Sequence, residues 1–117
     1  MSGDWTKADR RSVRRLADVA WQRELRRELH QIAISIQEME DGPLSPFAVN
    51  DNIHVFHNGA SRDLYRRYSG ADPWLGVCYA YRNRILTDED LIDASDEFCN
   101  ILREHAAGFS SLDAEEG

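Results

Sequence analysis

The residues with the greatest chemical reach lie between His54 and Gly70, in the stretch HVFHNGASRDLYRRYSG. His54 and His57 are three apart, so one helical face can present both rings, and with Asp51 nearby they form a partial metal site. His30 is the best donor of a further ligand. Bundles that hold two metal ions use Glu-x-x-His pairs, and no glutamate here stands three residues before a histidine. H-E-x-x-H, the P-loop and G-x-G-x-x-G are absent as well. His57 also shares a helical face with Ile53, Ala60 and Leu64, where a hydrogen-bonded core histidine is the plainer role.

His57 and Ser61 stand at i, i+4, with Asp63 close in sequence, which invites comparison with a nucleophile and its base. A helix face offers no oxyanion donors, and Asp63 projects well round the helix from His57, so no catalytic residue is assigned. Arg62 and Arg66, again at i, i+4, could hold a phosphate or a partner's carboxylate. They also fit a solvated face on which Asp63 pairs with Arg67. The candidate interaction or ligand residues are therefore His54, His57, Ser61, Arg62 and Arg66; the metal candidates are His54, His57 and His30; no cofactor is implied.

The elements that must carry these residues are helical. Val13, Leu16, Ala17, Ala20, Trp21, Leu25, Leu29, Ile32, Ile36 and Met39 recur in three- and four-residue steps, which predicts one helix from about residue 7 to 40. Thr6 and Asp9 form its capping box, and EDGP ends it. Such a helix would be about 50 Å long, whereas a compact domain of this size has a radius of gyration near 13 to 14 Å. It must bend or overhang, and an overhang would be covered by a second copy of the chain. Ser45 and Pro46 open a second helix whose apolar positions, Phe47, Val49, Ile53, Phe56, Ala60, Leu64 and Tyr68, cross Asn58-Gly59 in phase. That helix is expected to run to about Ser69, with Gly59 and Ala60 allowing a neighbour to approach closely. A third helix follows Pro73 and runs to about Ile85. Thr87 and Asp90 suggest the cap of a fourth, which continues through Leu102 and His105 and stops at Gly108. No period-two alternation is sustained, so the fold class is all-α, about four helices in a small bundle. Residues 1–108 form a single domain and 109–117 a flexible acidic tail.

At 117 residues one core is feasible, and a charged fraction of 30% beside 42% hydrophobic residues suits a globular chain. The absence of an apolar run of membrane length or of a secretory signal predicts a soluble, cytoplasmic protein. Cys78 and Cys99, too far apart for a C-x-x-C pair, read as buried thiols. The net charge of −7 argues against general nucleic-acid binding, yet residues 7–28 carry a local +4. That segment could lie against a nucleic-acid backbone, with Trp5 and Trp21 for stacking. It could equally meet the acids between Asp88 and Glu97, within the fold or across an interface. Tyr65, Tyr68, Trp74, Tyr79 and Tyr81 are expected to cluster around the loop before Pro73.

The run NDNIHVFHNGASRDLYRRYSG, followed by ILTDEDL, resembles a group of small all-helical bacterial proteins with an I-H-x-F-H-x-G-x-x-R-x-L-Y-x-x-Y core. The resemblance covers residues 25–105 and implies a helical fold without an attached activity. The expected function is a non-enzymatic helical interaction or regulatory module, a homodimer that acts on another protein. The alternatives are a metal-binding protein or enzyme centred on His54 and His57, and nucleic-acid backbone binding through the basic first helix.

Overall fold

The computed structural model describes residues 5–70 and 72–116, with side chains as far as 107. Five α-helical segments, α1 (Lys7–Asp41), α2 (Pro46–Phe56), α3 (Arg62–Ser69), α4 (Pro73–Arg82) and α5 (Asp96–Glu116), make up the chain, with no strand among the described residues. A π-helical turn, His57–Ser61, joins α2 to α3, so the two form one continuous rod and the bundle has four.

The long first helix is a single unbroken element. Thr6 and Asp9 close the capping box at its start, and Gly42, at φ 111°, ends it by turning its N–H back onto the carbonyls of Glu38 and Met39. Its 35 residues span about 52 Å at 1.5 Å per residue, which accounts for the 54 Å longest dimension. The radius of gyration, 17.5 Å, exceeds the ~13 Å of a compact chain this long. The helix overhangs; it does not bend back.

One core serves only the first half of α1. Val13, Leu16, Ala17 and Ala20 pack with Leu64 and Tyr68 of α3, Trp74, Val77, Cys78 and Ala80 of α4, and Phe98, Cys99 and Leu102 of α5. Helix α4 lies at the centre, touching α1, α3 and α5. It comes so close to α3 that a Cβ on Gly76 would sit 2.5 Å from the Arg67 carbonyl oxygen and 2.9 Å from the Tyr68 ring. The close approach expected at Gly59 is not there: nothing lies within 4 Å of a Cβ on that residue.

Beyond Leu25, α1 leaves the core and runs beside α2 as a two-helix arm. Ser45 caps α2 by accepting the Ala48 N–H, and the short loop after Gly42 makes the pair antiparallel, with Asn52 donating to the Ser35 hydroxyl at 3.1 Å.

The α2–α3 rod crosses Asn58-Gly59 without reversing, but its phase is not that of a regular α-helix. From Phe56 through Ala60 and Leu64 to Tyr68 the apolar stripe advances in steps of four. Twelve residues at 100° each overshoot three turns by about 120°. The π turn takes in one extra residue without the corresponding rotation and returns Leu64 and Tyr68, both buried, to the core.

The boundaries near the C-terminus differ from the expected ones. Helix α4 stops at Arg82, and Arg84 adopts the left-handed conformation (φ 61°) that lets Ile85 turn back to bond the Ala80 carbonyl. The Thr87–Asp90 capping box opens only a 3₁₀ turn, Asp88–Leu91. Helix α5 begins later, where the Ser95 hydroxyl accepts the Phe98 N–H at 3.1 Å. Its backbone passes Gly108, the expected stop; the acidic tail proposed over 109–117 lies outside the residues whose side chains are described. No described helix is long and apolar enough to cross a membrane.

Candidate functional site

The polar residues of the α2–π–α3 rod do not converge. His54, His57, Arg62 and Arg66 are exposed, as is His30 on α1, and Ser61 is half-buried in the π turn. None of the six lines any of the four principal clefts. Among the described residues no group of three or more His, Cys, Asp or Glu side chains is arranged to hold a metal ion. The core role read for His57 also fails, since the π turn sets its side chain in solvent.

Several residues that looked available are engaged inside the head. Trp5, a candidate stacking residue, is buried with its ring centroid 5.0 Å from both Trp74 and Phe98, a group that His105 edges at 5.5 Å from Trp74; of the expected aromatic cluster, Tyr68 and Trp74 join this core, Tyr79 and Tyr81 pack against it, and Tyr65 is exposed. Trp21 meets the edge of Tyr65. The basic segment and the acidic segment do meet, within one chain. Arg23 grips both carboxylate oxygens of Asp90 at 2.7 Å and donates to the Ile85 carbonyl at 2.8 Å. The Arg23 hydrogen bonds, working against partial burial and aided by the Thr87 N–H, lower the Asp90 pKa to about 2.

At the base of the arm Arg67 pairs with Glu24 at 2.9 Å, not with Asp63, and its guanidinium lies 4.0 Å over the Tyr79 ring. Tyr68 donates to the same Glu24 oxygen at 2.5 Å; burial, and then this hydrogen bond, raise its phenol above the ordinary value. Glu24 therefore locks α3 to α1 at the point where the core ends. Burial, with Asp72 adding to it, pushes the Cys78 thiol up to about 12, the state of an inert core thiol.

An exposed apolar surface lies on the arm. Leu25, Leu29, Ile32, Ile36 and Met39 follow alternating four- and three-residue steps, the seam of a coiled coil. Helix α2 half-covers Ile32, Ser35 and Met39, but Leu29 remains 48% and Ile36 42% exposed, with Ile53 of α2 at 42%. On regular antiparallel helices these three side chains fall on one flank. Ile34 and Val55 fall on the other and line a separate cleft with Gln31, Glu38 and Asn52. Between Leu29 and Ile36 the flank carries the small Ala33, and beyond them Arg26 and Glu40, all exposed.

The fold and this surface define the chain as an all-α protein with a compact head and a projecting two-helix arm. Comparison with protein-family models, curated proteins and solved structures finds no match.

Proposed function

We propose that the chain is a helical protein-interaction module whose first partner is a second copy of itself, joined through the arm. The observation that carries this reading is the apolar flank of Leu29, Ile36 and Ile53, left exposed on the arm past the end of the core. The sequence of that flank is self-complementary in the antiparallel sense. About a two-fold axis at Ala33, Leu29 of one protomer meets the region of Ile36 in the other, and Arg26 meets Glu40, each pair occurring twice. Small Ala33 at the crossing permits close approach. Two arms joined in this way form a four-helix bundle, the usual means by which a helical hairpin buries a second apolar face.

In this reading the head is a scaffold that holds the arm rigid through Glu24, Arg67 and Tyr68, and the dimer presents the remaining surfaces to another protein. The test is the molar mass in solution. Leu29→Glu with Ile36→Glu should yield a folded monomer with unchanged helicity. Arg26→Glu alone should weaken the dimer, and adding Glu40→Arg should restore it. A monomeric parent chain, or a dimer indifferent to these changes, would remove the reading.

A further inference from the structure

The arm has a second flank, opposite the one assigned to the dimer. Between α1 and the α2–π rod runs an open groove of about 480 Å³. Half-buried Ile32, Phe56 and Ala60 line it, and Ile34 and Val55 stand exposed at its sides, at 40% and 72%. Gly59 also lines it and leaves it open, since nothing lies within 4 Å of a Cβ on that residue.

The charge of the groove is the second, separate observation. Glu28 and Glu38 line it, and no Lys or Arg does. Ten residues apart on one helix, they are separated by about 15 Å along its axis. Neither side chain makes an ion pair or hydrogen bond with any described residue, although Glu28 is half-buried. A carboxylate drawn partly out of water without a partner is unfavourable, and a cation brought from outside relieves it.

We infer that this groove binds a basic amphipathic helix of another protein, its apolar residues seated between Ile34 and Val55 and a lysine or arginine set against each of Glu28 and Glu38. The cleft between two antiparallel helices has the shape a third helix fills, and such a helix is held by anchors three and four residues apart. Three turns of a partner helix, about 16 Å, match the separation of the two carboxylates. The partner's face should therefore be basic at i and i+11 and apolar at i+4 and i+7. Nucleic acid and anionic lipid are repelled by the same two carboxylates. The inference rests on the reading of the chain as an interaction module and names the partner's chemistry; it does not require the dimer, which uses the other flank.

The probe is a synthetic helical peptide of about 18 residues with two lysines and two leucines in that pattern on an alanine and glutamine background. A second peptide replaces both lysines with glutamate, and a third replaces both leucines with serine. Each is titrated by calorimetry into the intact chain and into its Leu29→Glu, Ile36→Glu variant. The lysine peptide should bind both with a Kd of about 100 μM or tighter, and the other two peptides at least about tenfold more weakly. Glu28→Lys with Glu38→Lys should lose the lysine peptide and take up the glutamate peptide instead, which a variant that had merely unfolded would not do. Gly59→Leu puts a side chain into the groove without a clash, so it should melt no lower than the parent yet bind the lysine peptide at least about tenfold more weakly. Lysine-peptide binding by a parent chain that proves monomeric would remove the dimer and leave this inference standing. No binding of the lysine peptide, equal binding of the glutamate peptide, or undiminished binding after either groove change would overturn it. So would altered self-association in the Glu28→Lys, Glu38→Lys variant, which would make the groove a contact between copies of the chain.

Discussion

The two halves of α1 share one helix and both carry apolar residues at three- and four-residue steps, yet they meet opposite fates. In the head Leu16 is completely buried; in the arm Leu29, about 140° round the helix from it, is 48% exposed. The head is closed by three other helices and tied by Arg23–Asp90 and Arg67–Glu24, whereas the arm has only α2 beside it. The comparison teaches that periodicity reports which side chains are meant to be covered and not what covers them. Past the end of the core the apolar residues of α1 drift round the helix and are left partly exposed on the arm.

That difference should appear first in truncations. Leu16→Ala or Phe98→Ala removes a completely buried side chain and should cost about 3–5 kcal/mol in chemical denaturation. Leu29→Ala should leave the denaturation midpoint of the isolated protomer within about 1 kcal/mol of the parent and change only self-association. Equal losses at Leu16 and Leu29 would erase the distinction between head and arm.

The glycines sharpen it. Gly76→Ala forces a methyl to within 2.5 Å of a backbone carbonyl and should destabilise by about 1–3 kcal/mol. Gly59→Ala, with open space around it, should be neutral or stabilising by up to about 1 kcal/mol. Melting temperatures of the two variants decide the matter.

Smaller effects separate the electrostatics of the head. Asp90 has a folded pKa of about 2, below its unfolded value of about 4, so its contribution is full above pH 4 and is lost as the pH falls toward 2. Because Arg23 is 44% exposed, solvent screening limits that contribution to about 1 kcal/mol. Asp90→Asn should therefore lower stability at pH 7, and the gap to the parent should close in melts near pH 2. Smallest of all, Cys78 and Cys99, both buried, should resist a thiol reagent in the native state and react only after denaturation.

Much of the architecture was legible because it rests on short-range chemistry. The Thr6–Asp9 box, the Ser45-Pro46 start and the Gly42 stop each involve neighbours within four residues, and each appears where the spacing predicts it. That α1 must bend or overhang followed from its length; that it overhangs is seen only in the fold. Other features depend on tertiary packing and could not be read locally. The Thr87–Asp90 box is genuine, but a 3₁₀ turn satisfies it as well as a long helix does, and Ser95 supplies the cap that matters for α5.

The π turn had a visible trace in the run of four-residue steps from Phe56 to Tyr68, which a regular α-helix cannot keep on one face. The same turn explains why the polar residues of that stretch, His57 foremost, decorate solvent instead of converging. The left-handed turn at Arg84 left no motif, since nothing local marks an arginine for positive φ until the turn after α4 is known.

Sedimentation equilibrium of the intact chain tests the central claim most directly. The account predicts twice the 13.4 kDa chain mass at micromolar concentration, falling to one chain mass in the Leu29→Glu, Ile36→Glu variant while the helical signal and the melt of the head persist. A parent chain that stays monomeric up to about millimolar concentration, where even the weakest specific pairs associate, would contradict it.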